Sequence, residues 1–293
     1  MKQLTKLCSG ILAVALLMFA SCASKVHPTT EEAVTKAKGP FPEEKLGWKL
    51  GAQAYTFRLF NFEQALNRIA QSNLRFVEAF PGQEIGAGST EKMTYELSPE
   101  GRKLVKQLLK DRGITLHAYG VVGAKDKAEW EKIFQFAKDL GVQVINAEPS
   151  EDQLDYLSAL CDQYDIRLAI HNHPEPSHYW NPDVVLKALE GRSARMGAAA
   201  DVGHWMRSGL DPIASLKKLE GKIFHIHFKD LNAFGDKKAH DVIWGTGKLG
   251  LKEVQAELKR QNYKGMFSAE YEYNWENNQP NVQESVVNFR SAL

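Results

Sequence analysis

The chain has 293 residues, of which 43% are hydrophobic, and this length is ample for one large buried core. Its 37 lysines and arginines nearly balance its 36 aspartates and glutamates. This balance excludes the strongly basic surface that is typical of nucleic-acid-binding proteins, so we expect no nucleic-acid partner. Of three cysteines, only Cys161 lies beyond residue 22, and we therefore expect no disulfide to hold the fold together.

The first 22 residues have the features of an export signal. Lys2 and Lys6 precede an apolar run over residues 11–20, which is too short to span a bilayer comfortably. Small residues then lead to Cys22, and this order resembles a bacterial lipoprotein signal, in which the cysteine carries a lipid anchor. A plain secretory leader and an uncleaved anchor are the alternatives.

The leader divides the chain into three predicted parts. We expect a signal peptide over residues 1–22, a flexible tether rich in Pro, Thr, Lys and Glu over residues 23–45, and one domain over residues 46–293. The resemblance implies a protein of the bacterial cell envelope, either an outer-membrane lipoprotein or a periplasmic protein. It would contact the membrane only through the lipid at Cys22.

One unit repeats along the domain, namely a short apolar strand followed by an amphipathic helix. Strands are predicted at Leu50–Tyr55, Phe76–Phe80, Thr115–Tyr119, Val142–Ala147, Arg167–His171, Met196–Ala200, Ile223–His227 and Met266–Ala269. Helical spacing of apolar residues predicts helices that include Pro99–Arg112, Ala128–Leu140, Glu151–Tyr164, Pro182–Glu190, Asp211–Leu219 and Leu251–Asn262. Prolines such as Pro99 stand at helix starts, and glycines such as Gly113 follow helix ends.

Eight alternating strand–helix units predict the α/β class and a single (β/α)8 TIM barrel with a closed parallel sheet. An open doubly wound sheet is the alternative architecture. It would normally carry a glycine-rich phosphate turn after its first strand, whereas this chain continues with Tyr55-Thr56-Phe57-Arg58. The closed barrel therefore fits the sequence better.

Four predicted strands end at side chains that bind metal ions, namely Glu148, Asp201, His227 and Glu270. The carboxyl ends of all barrel strands lie at one rim, where the active sites of TIM barrels are found. A helix cap or a salt bridge explains any one of these side chains, but it does not explain four at equivalent positions. Three carboxylates and one imidazole suit one divalent ion such as Mn²⁺, Co²⁺ or Mg²⁺, and Zn²⁺ also fits. The pattern thus predicts an enzyme.

Several motifs occur in a fixed order: Asp201-Val202-Gly203-His204-Trp205, then His225-Ile226-His227-Phe228-Lys229-Asp230, then Ala269-Glu270-Tyr271-Glu272. Together they resemble the xylose isomerase-like barrel family, which includes sugar isomerases and epimerases, inosose dehydratases and endonuclease IV-type enzymes. The resemblance extends from about Leu50 to the C-terminus. By comparison with the ketose 3-epimerases, it implies that Glu148, Asp201, His227 and Glu270 bind the metal. Glu148 and Glu270 would then remove and return a proton.

Further side chains are candidates for substrate contacts at the rim, although structural roles fit each of them as well. They are His117, His171, His173, His204, Lys229 and Trp205. His225 lies two residues before His227 and therefore faces the same side of the strand, but His227 is nearer the rim and is the predicted ligand.

The resemblance and the leader together favour a metal-dependent isomerase or epimerase that acts on a non-phosphorylated sugar or keto-sugar. A lyase, dehydratase or hydratase acting on a keto-sugar, such as a 3-keto-glycoside or an inosose, is the main alternative. A non-catalytic sugar-binding lipoprotein is less favoured because the ligand set is complete. A nuclease is disfavoured by the neutral charge. The sequence leaves the sugar, the metal and the oligomeric state open.

Overall fold

The computed structural model of the protein describes residues 34–293. The predicted signal peptide and the first part of the predicted tether, residues 1–33, lie outside the described residues. Between residues 34 and 293, no helix is both long and apolar enough to span a membrane.

Eight parallel strands close into a barrel, which confirms the predicted TIM-barrel fold. The strands in chain order are β1 (Lys49–Gln53), β2 (Phe76–Ala79), β3 (Glu84–Gly86), β4 (Ser89–Lys92), β5 (Thr115–Val122), β6 (Val144–Ala147), β7 (Arg167–His171), β8 (Met196–Asp201), β9 (Ile223–Phe228), β10 (Asp230–Leu231), β11 (Asp241–Val242) and β12 (Met266–Ala269). The barrel order is β1-β12-β9-β8-β7-β6-β5-β2, and two antiparallel pairs, β3 with β4 and β10 with β11, lie outside it.

Helices follow the strands around the barrel. Over residues 34–293 they are α1 (Phe62–Gln71), α2 (Pro99–Arg112), α3 (Lys127–Leu140), α4 (Leu154–Tyr164), α5 (Pro182–Leu189), α6 (Val202–Arg207), α7 (Pro212–Lys218), α8 (Leu251–Arg260) and α9 (Gln279–Ser291). Local chemistry sets their ends. In α2, the hydroxyl of Ser98 accepts the Gly101 N–H and Pro99 begins the helix. Gly113 ends it with a φ of 63°, a left-handed conformation that glycine adopts readily.

The main apolar core lies between the strands and the surrounding helices. A smaller apolar cluster, Ala118, Val144, Ala169 and Ala199, comes from the four consecutive barrel strands β5 to β8. The register pairs Ala169 with Asn146 and Ala199 with His171, two inward-facing polar residues, so this cluster lies inside the barrel. Its small side chains leave room there for polar groups.

The residues before β1 are docked on the barrel, although the sequence predicts a tether as far as residue 45. The Lys38 and Gly39 N–H groups donate to Asn73 Oδ1 at 2.9 and 3.1 Å. The buried carboxylate of Glu43 accepts two hydrogen bonds from Arg290, at 2.7 and 3.0 Å. Because these contacts fix residues 38–46, the predicted tether is too long at its C-terminal end.

Candidate active site

Buried side chains from four neighbouring strands converge at the carboxyl end of the barrel. His171 and Asp201 end β7 and β8, His227 is the penultimate residue of β9, and Glu270 follows β12. One ligand atom of each lies within 4.8 Å of the others. His227 Nδ1 is 3.0 Å from His171 Nε2 and 2.9 Å from Glu270 Oε2. We call these four residues the rim cluster.

Glu148 lies beside the rim cluster rather than within it. Its Oε1 is 2.9 Å from His171 Nδ1, and the same oxygen contacts His173 Nδ1. Burial alone would raise the pKa of Glu148, but the hydrogen bonds to His171 and His173 outweigh burial and hold the pKa at about 2. Glu148 thus holds both histidines as a carboxylate, and Glu148, His171 and His173 form a further group that could hold a metal ion.

Glu78, which no sequence motif identifies, supports the rim cluster from inside the barrel. Its Oε2 lies 2.7 Å from the Nε2 atoms of both His225 and His227, and Ser268 Oγ donates to it at 3.0 Å. Asn146 donates to the other oxygen at 2.7 Å. Burial would raise the pKa of Glu78, but the charges of His227 and His225 keep the pKa well below its usual value. Glu78 thus turns His227 Nδ1 toward the rim.

The two histidines of β9 occupy different depths. His227 belongs to the rim cluster, whereas His225 contacts Glu78 below it. Glu78, His225 and His227 also form a second group whose geometry would accept a metal ion. Burial opposes protonation of His227, yet Glu270 and Glu78 on its two sides raise its pKa well above the usual value.

Lys229 places a fully buried ammonium group between the carboxylates of the site. Its Nζ donates to Asp201 Oδ2 at 2.7 Å, contacts Glu270 Oε2, and lies 3.4 Å from Glu272 Oε2. Burial alone would lower the pKa of Lys229, but Asp201 and Glu270 raise it well above its usual value. Gly203 allows α6 to pack on this lysine, because a Cβ at Gly203 would stand 2.5 Å from Lys229 Cβ.

A cavity of about 360 Å³ opens above these groups. One side is polar and is lined by His173, His204, Glu270 and Glu272. The other side carries the rings of Tyr55 and Phe80, whose centroids are 5.2 Å apart in an edge-to-face arrangement. The imidazoles of His173 and His204 stack with centroids 5.2 Å apart. Of the two residues His173 and Glu148, only His173 lines this cavity.

Two predicted substrate-contacting residues lie elsewhere. His117 is the third residue of β5, which continues to Val122, so the rim end of this strand carries Gly120 and Val121 instead. His117 lines a cavity at the opposite end of the barrel. Trp205 is buried in the main core, because it follows His204 by one residue on α6 and so faces a different direction. The prediction is wrong for the position of both.

The donor set of the rim cluster fits a divalent metal ion. Two imidazole nitrogens and two carboxylates within reach of one centre are ligands that Mn²⁺, Fe²⁺, Co²⁺ and Zn²⁺ accept in proteins. Lys229 offsets part of the negative charge of Asp201, Glu270 and Glu272. Histidines that bind metal ions are usually oriented by a carboxylate at their other ring nitrogen, and Glu78 contacts His227 in this way.

The chain is similar to known proteins along most of its length. A family model described as xylose isomerase-like TIM barrel matches residues 66–292. The chain is 37% identical to an uncharacterised protein from Parabacteroides distasonis ATCC 8503, with a TM-score of 0.70, over 84% of this chain and 100% of that one. No curated protein matches the sequence.

Two more distant structures share the fold. A D-tagatose 3-epimerase-like protein is 18% identical with a TM-score of 0.66, over 83% of this chain and 96% of the other. A 3-keto-D-glucoside 4-epimerase from E. coli is 14% identical with a TM-score of 0.65, over 83% of this chain and 99% of the other.

Proposed function

The chain belongs to the xylose isomerase-like TIM barrel family, and on this premise we propose that it is a metal-dependent enzyme of sugar metabolism. We propose that it removes a proton from the carbon next to a carbonyl group of a sugar or keto-sugar. The observation that carries this proposal is the rim cluster, which offers four buried ligands directly beside a cavity lined by further acid–base groups. Family membership supports an enzyme of this class.

The rim cluster would bind the ion through His171, Asp201, His227 and Glu270. When bound, a divalent ion would stabilise the negative charge that develops on substrate oxygens as the neighbouring carbon loses its proton. Lys229 holds Asp201 and Glu270 in place by its contacts with both carboxylates. Glu78 fixes the orientation of His227 from the opposite side of its ring.

Two groups face the cavity as candidates for proton transfer. Glu270 lines one part of the cavity, and His173 lines another with its Nδ1 held by the Glu148 carboxylate. A histidine oriented by a carboxylate is a common general base or acid in enzymes. We therefore propose that Glu270 and the His173–Glu148 pair remove and return the proton. The resemblance assigns one of these roles to Glu148 directly, and here Glu148 would act through His173.

The cavity supports a neutral sugar better than a phosphorylated one. Glu270 and Glu272 line it, and the nearby cations Lys229 and Arg207 already face carboxylates. The predicted export signal also favours a non-phosphorylated sugar, since envelope compartments hold few sugar phosphates. The rings of Tyr55 and Phe80 suit contact with the apolar face of a sugar ring. The D-tagatose 3-epimerase-like protein and the 3-keto-D-glucoside 4-epimerase with the same fold also support sugars or keto-sugars as the substrate class.

Elimination from a keto-sugar is the second candidate function, and the position of His173 favours it. Elimination requires an acid that protonates the leaving oxygen, whereas epimerisation at a carbon does not. The half-exposed imidazole of His173 faces the cavity and stacks on His204, so a leaving group would have an acid within the site. Product mass separates the two candidates, because epimerisation conserves mass and elimination releases water or an aglycone.

The role proposed for Glu78 predicts a graded loss of metal affinity. Replacing Glu78 by glutamine keeps its shape but removes the charge that orients His227, and such changes weaken metal binding by about 10- to 100-fold. Calorimetric titration of Mn²⁺ into the metal-depleted protein measures the effect, with the exposed Glu84→Gln as a matched control. An unchanged affinity would exclude the positioning role. Complete loss of Mn²⁺ binding would instead indicate that Glu78 is itself a ligand and that the ion binds to the second group, Glu78, His225 and His227.

Metal content tests the proposed function itself. We expect the purified protein to contain about one divalent ion per chain, because the other candidate groups in residues 34–293 each share a histidine with the rim cluster. Asp201→Asn should lose this ion, because it removes a charged ligand while preserving the side-chain volume. Elemental analysis of both proteins provides the measurement. A wild-type protein that turns over keto-sugars after complete metal removal would contradict the proposal.

A further inference from the structure

A second cavity lies at the amino end of the barrel, opposite the candidate active site. Its volume is about 640 Å³, and its lining includes the first residues of β1 and β7, which are Lys49 and Arg167. His117, Phe224 and Lys264 also line it. This end of a TIM barrel normally contributes to stability alone, so an open cavity lined by several cations there requires an explanation.

The cations of this cavity are poorly balanced. Over residues 34–293, neither Lys49 nor Arg167 forms an ion pair with a carboxylate. Lys49 Nζ donates to the Lys264 carbonyl at 3.2 Å, and Arg167 Cζ lies 4.9 Å from the centroid of the Phe224 ring. Asp165 lines the cavity but is paired with Arg195 at 2.6 Å. Burial, together with the nearby charge of Arg167, lowers the pKa of Lys49. Lys49 and Arg167 thus share the cavity without a carboxylate of their own, since its one carboxylate, Asp165, is paired with Arg195.

His117 adds a buried polar group that lacks a partner. It is almost fully buried, and its Nδ1 has no hydrogen-bond partner in the described part of the chain. Burial and the neighbouring charges of His225 and Lys49 lower the pKa of His117 to about 3, so the ring is neutral. A neutral imidazole still has one N–H to donate. Buried polar groups without a partner are rare in native proteins, which suggests that a ligand or water completes this one.

We propose that this cavity binds a phosphate group, which Lys49 and Arg167 would hold by charge and His117 by a hydrogen bond. Arginine and lysine side chains are the usual ligands of phosphate in proteins. The inference does not depend on the proposed enzymatic function, because none of these residues belongs to the rim cluster. The phosphate group has two sources, free phosphate in solution and a lipid headgroup. A lipid headgroup is the favoured source, because the segment before β1 reaches the barrel at this end. There, Lys264 Nζ donates to the Leu46 carbonyl at 2.7 Å.

Calorimetric titration with inorganic phosphate at constant ionic strength tests the first source. We expect saturable binding to the full-length protein, weakened about tenfold or more by Lys49→Met with Arg167→Gln, because each change removes a charged hydrogen-bond partner. The matched control, Lys103→Met with Lys106→Gln, makes the same charge change on the exposed side of α2 and should bind as the wild type does. If the double variant does not fold, the single variant Arg167→Gln should show the same weakening to a smaller extent.

Vesicle sedimentation tests the second source. The full-length protein is compared on vesicles of pure phosphatidylcholine and on vesicles with added phosphatidylglycerol. A preference for the anionic vesicles that disappears in the Lys49 and Arg167 variant, but not in the control variant, supports a lipid headgroup as the ligand. The proposal is overturned if the Lys49 and Arg167 variant binds both inorganic phosphate and anionic vesicles as the control variant does, or if the wild-type protein binds neither.

Discussion

Replacing Glu270 by glutamine is expected to slow proton exchange between substrate and solvent by about 10²- to 10⁴-fold, the range found when a general acid or base is lost. Glu270 lines the candidate cavity, belongs to the rim cluster and contacts both His227 and Lys229. Glutamine retains the volume of the side chain but neither accepts a proton nor carries the charge that these partners require. Mass spectrometry of deuterium uptake into keto-sugars in D₂O gives the rate.

The exposed Glu284→Gln on α9 is the control, since it makes the same chemical change far from the site. Its exchange rate should equal that of the wild type. A Glu270→Gln protein that binds metal normally and exchanges protons at the wild-type rate would remove Glu270 from the mechanism, and the His173–Glu148 pair would then have to account for both proton transfers.

Replacing Lys229 by methionine is expected to destabilise the metal-free protein by about 3–5 kcal/mol, as is usual when one partner of a buried ion pair is removed. The change leaves Asp201 and Glu270 without their buried counter-charge and also removes the attraction to Glu272. Because the site becomes more negative by one unit, divalent ions should bind more tightly. Urea unfolding with and without Mn²⁺ measures both effects, and Mn²⁺ should recover part of the lost stability.

The exposed Lys187→Met on α5 serves as the control and should change the free energy of unfolding by less than about 0.5 kcal/mol. If Lys229→Met were as stable as this control in the metal-free state, the ammonium group would not be the counter-charge of the site. If Mn²⁺ failed to stabilise Lys229→Met, the rim cluster would not be the place where the ion binds.

The fold was predictable because buried parallel strands have a simple sequence pattern. Strands covered on both faces appear as short apolar runs, and glycines and prolines mark the helix boundaries between them. The predicted strand Arg167–His171 has the observed bounds, and so does the helix Pro99–Arg112. The stretch before β1 was harder, because the docking of residues 38–46 depends on contacts with Asn73 and Arg290, which are distant in sequence.

The sequence allowed prediction of only those site residues whose positions follow from the ends of barrel strands. Asp201, His227 and Glu270 meet because each stands at the end of a barrel strand. Glu78 was missed because its partners come from β6, β9 and β12, and nothing local in β2 identifies them. A signal was present nonetheless: Glu78 is a lone carboxylate within an otherwise apolar strand. The contact between Glu148 and His173 depends on the loop after β7, whose conformation no periodic pattern encodes.

Deuterium exchange by the wild-type protein shows whether the rim cluster and its metal ion remove a proton from a sugar. The protein is incubated in D₂O with a panel of ketohexoses and 3-keto-glucosides, first metal-depleted and then with Mn²⁺, Co²⁺ or Zn²⁺ restored. We expect at least one substrate to gain deuterium at the carbon beside its carbonyl, or to lose a leaving group from the adjacent carbon, only when metal is present. Equal exchange with and without metal would rule out a metal-dependent mechanism, and a metal-loaded protein that exchanges no proton in any keto-sugar of the panel would rule out the proposed reaction.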